Sequence, residues 1–396
     1  MKKKQGWIKS IRQSKGLIFV AVTDGAKDFQ VTIVEAECKI YGELKVGASF
    51  EAQGKDSTTP KGLFEFKASE FKIIGSSDDS YPIQPKSHGM DFLRSILEYR
   101  GKTKQFQAIW KIRHHLTQAI HQFFDSEGFY LYQIPIIIDS DCEGAGETFQ
   151  VKTEWLDRVL TVSGQLHGEV GAMSLGKIYS FSPSFRAEKS ATKKHLSEFW
   201  HLEPEIGWYS MEDTMRLAEK SIKFFITYVL EKCEYEFKQL GITTEHLTDV
   251  IEKEWKTIKY EEIVKLFGVK YGEDINSETE QKIVTHFGCP VFITHYPESL
   301  KPFYMKKIGG VAFCFDLIFE SIGELIGGSE REDSYDKLKQ SMIDSGLDLD
   351  KMDWYLNTRK HGSIPHSGYG MGFERLLMFI TKVPKIHDVI PFPVSY

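Results

Sequence analysis

The apolar residues of this 396-residue chain change their spacing once, near residue 100, and that change limits what the chain can fold into. Before it they run in short β-rich segments. Leu17-Ile18-Phe19-Val20-Ala21-Val22 ends at the turn pair Asp24-Gly25, Phe29-Gln30-Val31-Thr32-Ile33-Val34 follows, and Leu63 to Ala68 alternates again. Closely spaced strands with glycine-containing turns suit a small barrel, and an OB-fold is the leading expectation for residues 1–78. The polar run Gly75-Ser76-Ser77-Asp78-Asp79-Ser80 reads as the start of a linker, placed at 79–102.

From about residue 103 the period becomes helical. Phe106, Ile109, Ile112, Leu116, Ile120 and Phe123 predict an amphipathic helix ending near Glu127-Gly128. An extended run from Phe129 to Ile138 contains Pro135, which suits an edge, a bend or an interface. A second helix is expected from Glu212 to Cys233, opened by Ser210 and Asp213 at capping-box spacing, and a strand from Val311 to Ile318. The fold class expected is α+β.

Composition excludes some functions. With 41% hydrophobic and 27% charged residues the chain reads as soluble and globular, and no apolar run is long enough to span a membrane. Met1-Lys2-Lys3-Lys4 enters a polar segment without the apolar core of a signal peptide, so a cytoplasmic protein is expected. Cys38, Cys142, Cys233, Cys289 and Cys314 form no CxxC pair, which argues against a zinc knuckle or a disulfide framework. A net charge of −6 is unlike a general nucleic-acid binder, but a local basic face with exposed aromatics could still read RNA.

Two arginines nearly two hundred residues apart each sit beside a glutamate. One lies in Phe185-Arg186-Ala187-Glu188, followed by His195-Leu196-Ser197-Glu198-Phe199-Trp200; the other lies in Gly370-Met371-Gly372-Phe373-Glu374-Arg375. Arg186 and Glu188 share one face of an extended run, and Arg375 opens an apolar helix. Such a pair can clamp a polyphosphate while an aromatic ring takes the base, and neither half follows P-loop or Rossmann glycine spacing. Asp316 and Glu324, eight apart, are natural ligands for a hard cation beside a triphosphate.

With their neighbours these strings resemble the class II aminoacyl-tRNA synthetases, and the asparaginyl group within them, over nearly the whole chain. The resemblance implies a catalytic domain over 103–396, an antiparallel sheet flanked by helices, preceded by an anticodon-binding barrel. It implies that Arg186 holds the α-phosphate and carboxylate, Glu188 the adenine amino group, Phe199 the base and His195 the outer phosphates. Arg375 would cover adenine and meet the γ-phosphate, with Asp316 and Glu324 as Mg²⁺ ligands. For asparagine it implies Glu143 and Gln165 near the α-amino group, Arg331 on the side-chain oxygen and Glu169 on the amide. Glu169 stands where asparaginyl enzymes carry a glutamate, and Gly168 where aspartyl enzymes carry a lysine. The spacing of Asp316 and Glu324 is also the asparaginyl one.

Arg12, Phe19 and Gln30 match barrel residues that meet an anticodon. The partners implied are ATP, L-asparagine, tRNA(Asn) and a second copy of the chain joined around Pro135. Departures are Lys194 for an arginine, Glu320 near the metal acids, and His387 and Val394 where arginines are usual. Two further readings stay open: a relaxed or aspartate-directed enzyme, and a paralogue that adenylates or binds nucleotide or RNA without charging tRNA.

Overall fold

The computed structural model describes residues 1–34, 41–139, 148–188 and 194–395. Residues Met1–Phe106 and Gln107–Tyr396 form two compact units.

The first unit holds a closed five-stranded barrel, in the order Lys2–Ser14, Leu17–Thr23, Asp28–Val34, Phe64–Gly75 and Ser49–Thr58. All neighbours are antiparallel except Asp28–Val34 with Phe64–Gly75. This is the expected OB-fold. Period-two alternation decides which side chains enter the barrel: Ile18, Val20 and Val22 are buried, while Phe19 lies on the outer face. Val31, Ile33, Phe50 and Phe66 complete the core. Each such side chain contributes about 1.5–3 kcal/mol by leaving water.

The second unit is built on a sheet of nine strands among the described residues. Its path runs Lys256–Lys259, Val291–Pro297, Val311–Phe319, Gly323–Glu330, His366–Gly372, Glu198–Gly207, Lys177–Phe185 and Tyr130–Leu131, with Lys307–Ile308 beside Val311–Phe319. The first and last pairs on the path are parallel and the interior is antiparallel. Helices cover it. Lys104–Ser126 buries Phe106, Ile109, Ile112, Leu116, Ile120 and Phe123, the stripe that the sequence predicts.

The helix Met211–Lys232 begins at the expected capping box, Ser210 accepting from Asp213 N–H while Asp213 accepts from Ser210 N–H. Such a cap contributes about 1 kcal/mol. The run from Phe129 to Ile138 is not one strand. Tyr130–Leu131 joins the large sheet, Ile137–Ile138 joins a small three-stranded one, and Pro135 lies between, where its missing N–H breaks the ladder. Of the cysteines, Cys233 and Cys314 are buried, Cys289 is half-buried and all three are free; Cys38 and Cys142 lie outside the described residues. Among the described residues no helix is long and apolar enough to cross a membrane.

Candidate active site

One face of one strand organises the site. In Glu198–Gly207 every second side chain points the same way, so Phe199, His201, Glu203 and Glu205 form a row. Phe199 and His201 line one cavity; His201, Glu203 and Glu205 line a second. The neighbouring strand His366–Gly372 carries glycine at alternate positions opposite this row. A Cβ on Gly368 would come 2.4 Å from both Glu205 oxygens, and one on Gly370 would come 2.7 Å from His201 Nε2. The missing side chains are what let the row lie flat over the sheet.

The first cavity gathers Arg186, Glu188, His195, Phe199, Glu324 and Arg375. Arg186 follows the strand Lys177–Phe185, and its N–H donates to Ser197 O at 2.9 Å, which closes the hairpin ends together. Its guanidinium carbon lies 5.4 Å from the Phe199 ring centre. Arg375 enters from the helix Phe373–Thr381, donating Nη1 to Glu324 O at 2.7 Å. That helix is anchored by Glu374, which accepts from Trp200 N–H at 2.9 Å and pairs with Arg113 at 2.7 Å. Burial, then the Arg375 charge, hold His195 below the usual imidazole pKa despite Glu188. A neutral imidazole beside two guanidiniums can still donate one hydrogen bond.

The second cavity shares Arg186, His201, Glu324 and Gly370 with the first, so the two are continuous. It adds Gln165, Lys301, Asp316 and Arg331. Asp316 and Glu324 stand on adjacent strands, and a register shift between Leu317 and Ile318 brings them toward the same space. Burial and then the Asp316 charge raise the Glu324 carboxyl. Asp316 is tied to Lys301 Nζ at 2.7 Å, and this lysine also lies 3.9 Å from the Tyr296 ring centre. Two carboxylates crowding one cavity fit a hard divalent cation, with Glu324 the better ligand because Lys301 already neutralises Asp316. Glu280, on the helix Ser277–Phe287, lies beside Glu324, but among the described residues no three acids are grouped to hold a metal ion together. Burial and Glu324 push the Glu280 carboxyl up to about 7.

Arg331 is buried and grips Glu205 through Nε at 3.1 Å and through Nη2, while Nη1 donates to Ser329 Oγ at 2.7 Å. Burial, with Glu169 and Glu203 close by, opposes ionisation of Glu205, and the two-pronged contact with Arg331 counters it. Burial opposes ionisation of Glu203 too, but His201, the Ser163 hydroxyl and the Gly164 N–H outweigh it and hold the carboxyl at about 2. Glu169 lines neither cavity. It is wholly buried behind Arg331, its Oε1 3.8 Å from Arg331 Nε and 3.0 Å from Gln165 Nε2.

Of the residues singled out in the sequence, then, Arg186, Glu188, His195, Phe199, Glu324 and Arg375 come together in one cavity, and Gln165, Asp316 and Arg331 in the continuous one. Glu143 lies outside the described residues. Lys194 and Ser395 also line the first cavity, and the Val394 carbonyl accepts from Ser197 N–H at 2.8 Å. Sequence reasoning missed Glu203, Glu205, Lys301 and Glu280. A signal for the first two was present in acids at alternate positions of an apolar strand, facing a strand of alternate glycines.

In the barrel, Arg12 and Phe19 are register partners on the outer face, the Arg12 guanidinium carbon 5.1 Å from the ring centre. Gln30, on the next strand, donates to Glu65 at 3.1 Å.

The family model for class II tRNA synthetases (D, K and N) matches residues 92–396, and that for the OB-fold nucleic acid binding domain matches residues 5–74. The chain belongs to the class II tRNA synthetases. Within that family it joins the asparagine group, for it is 40% identical to the asparagine–tRNA ligase of Phocaeicola vulgatus, over 98% of this chain and 93% of that protein. The enzyme of the same name from Parabacteroides distasonis matches at 40%, with the same coverage. In structure, this synthetase-family chain is similar to asparaginyl-tRNA synthetase from Pyrococcus horikoshii complexed with asparaginyl-adenylate. The TM-score is 0.94 at 28% identity, covering 100% of this chain and 95% of that one. The Entamoeba histolytica asparaginyl-tRNA synthetase in complex with asparaginyl-adenylate matches with TM-score 0.89 at 27% identity and the same coverage.

Proposed function

We propose that this chain ligates L-asparagine to tRNA(Asn) at the expense of ATP, through an asparaginyl-adenylate. The observation that carries the reading is the position of Arg186, on the wall shared by the two cavities. A group held there meets a nucleotide on one side and an amino acid on the other.

In the first half-reaction an asparagine carboxylate oxygen attacks the ATP α-phosphorus and pyrophosphate leaves with the bonding electrons. Arg186 gathers the two anionic reactants, Phe199 stacks on adenine with Arg375 over the other face, and Glu188 accepts from the adenine amino group. His195 and Arg375 meet the outer phosphates. Glu324 and Asp316 would hold Mg²⁺, which would supply further neutralisation of the triphosphate. In the second half-reaction a ribose hydroxyl at the tRNA 3′ end attacks the mixed anhydride and AMP leaves. No protein nucleophile is needed; alignment and charge neutralisation account for the rate.

Asparagine and aspartate share a shape, so selection rests on charge. Arg331 donates to the side-chain oxygen, Gln165 and Glu143 serve the α-amino group, and Glu169 stands behind Arg331 and Gln165. Glu169, Glu203 and Glu205 together give an aspartate carboxylate a repulsive field. The barrel, residues 1–78 before a linker at 79–102, presents Arg12, Phe19 and Gln30 to the anticodon. Tyr130, Leu131, Ile136 and Ile137, exposed on both sides of Pro135, are the surface a second copy would cover in a homodimer. Its setting is the cytoplasm.

Asparagine-dependent exchange between pyrophosphate and ATP, followed by tRNA charging, tests the proposal. Both are expected, with aspartate inactive. Exchange without charging would leave an adenylating paralogue, and exchange driven by aspartate would overturn the specificity.

A further inference from the structure

Behind the amino-acid cavity lies a buried charged network of which the mechanism above uses only the centre. Its centre is Glu169, on the helix Gln165–Leu175, and its outer members are Tyr355, Arg359 and His366. All four are at most 4% exposed, so water does not compete for their hydrogen bonds.

The two oxygens of Glu169 have different surroundings. Oε2 is anchored: Arg359 Nη2 donates to it, the Tyr355 hydroxyl donates at 2.7 Å, and His366 Nε2 lies 3.1 Å away. Oε1 looks toward the cavity, accepting from Gln165 Nε2 at 3.0 Å and facing Arg331 Nε at 3.8 Å. Arg359 is itself fixed, donating Nε to the Glu332 carbonyl at 3.0 Å and Nη1 to Thr358 Oγ1 at 2.7 Å. Glu332 follows Arg331 in the chain, so Arg359 reaches Arg331 by two routes, one through the backbone and one through Glu169. Without Arg359, the anionic Glu169 would have Arg331 as its nearest guanidinium, and Arg331 would be drawn away from Glu205.

We propose that Arg359 is a positioning residue for amino-acid selection, which by fixing Glu169 and the Glu332 carbonyl sets the orientation of Arg331 and Gln165 in the cavity. The inference rests on the reading of that cavity as the asparagine site. It agrees with the charge of Glu169: burial opposes ionisation, and Arg359 first among its neighbours holds the carboxyl far below the ordinary range.

The test is pyrophosphate exchange with asparagine and ATP varied separately, on Arg359→Lys, Arg359→Met, Tyr355→Phe, Glu169→Gln and the double variant Glu169→Gln/Arg359→Met. Arg359→Met is expected to raise KM for asparagine about tenfold or more, with KM for ATP within about twofold. Arg359→Lys, which keeps the charge, should recover part of that loss. Tyr355→Phe should raise KM for asparagine about threefold with Tm lowered by only a few degrees, and it decides the matter if Arg359→Met does not fold. The double variant should be no worse for asparagine than Glu169→Gln alone, because the two residues act as one unit. A loss spread equally over both substrates, or Arg359→Lys and Tyr355→Phe both with wild-type KM for asparagine, overturns the inference. Wild-type exchange that ignores asparagine overturns the functional reading itself, and the inference with it.

Discussion

Arg331 and Glu205, 126 positions apart in the chain, meet as a two-pronged ion pair inside the protein, Nε to Oε2 at 3.1 Å and Nη2 to Oε1. A bidentate pair fixes direction as well as charge, and so aims the remaining edge of the guanidinium. The pair exists because the strand beside it leaves a gap at Gly368.

Filling that gap is therefore the cleanest perturbation. In Gly368→Ala a methyl would fall 2.4 Å from each Glu205 oxygen and push the carboxylate off Arg331. Overpacking of this kind costs about 1–3 kcal/mol. Asparagine kcat/KM in the exchange assay should fall at least about tenfold while KM for ATP stays within about twofold. An unchanged asparagine response would show that the pair does not orient the site.

Arg375 tests the nucleotide end. Its helix is held by apolar burial and by Glu374, so Arg375→Ala should leave Tm close to wild type. Loss of a guanidinium placed on developing phosphate charge costs about 10²–10³-fold in rate. Exchange should drop by that much, with tighter-than-expected ATP binding the result that speaks against the assignment.

The barrel can be separated from the chemistry. Phe19 lies on the outer face beside Arg12, so Phe19→Ala removes little from the core. Stacking on one aromatic contributes about 1–3 kcal/mol, or roughly five- to hundredfold in affinity. KM for tRNA should rise within that range with asparagine–ATP exchange unaffected; a variant that charges tRNA normally removes Phe19 from the interface.

Glu203 predicts a pH effect on stability. Its carboxyl stands at about 2 in the fold against a reference of 4.5, so the unfolded chain takes up the proton first as pH falls. The contribution is complete above about pH 4.5 and is lost progressively down to about pH 2, amounting to about 3 kcal/mol. Denaturant titrations across that window should show a shallower pH slope for Glu203→Gln than for wild type, and equal slopes would refute the assignment.

Much of this was legible along the chain. Strands at Leu17–Thr23 and Asp28–Val34, the helix Lys104–Ser126 and the Ser210 cap follow from local spacing, because period and capping are set within a few residues. Arg186, Phe199 and Arg375 stood out because each sits in a short string with its own chemistry. Glu203, Glu205, Lys301, Tyr355 and Arg359 did not, for a charged residue in a strand or helix reads as solvent-facing until its partner is known. Pro135 signalled an interruption, but not that the strands on its two sides belong to different sheets.

The sequence by itself determined the division into a β-rich front and an α+β remainder, the core stripes, and the strings proposed to grip a nucleotide. Only the tertiary structure decided which buried acid neutralises which buried base. The Arg331–Glu205 and Arg359–Glu169 pairings join residues 126 and 190 positions apart, and their strength depends on the exclusion of water, which exists only once the sheet and its helices have closed around them.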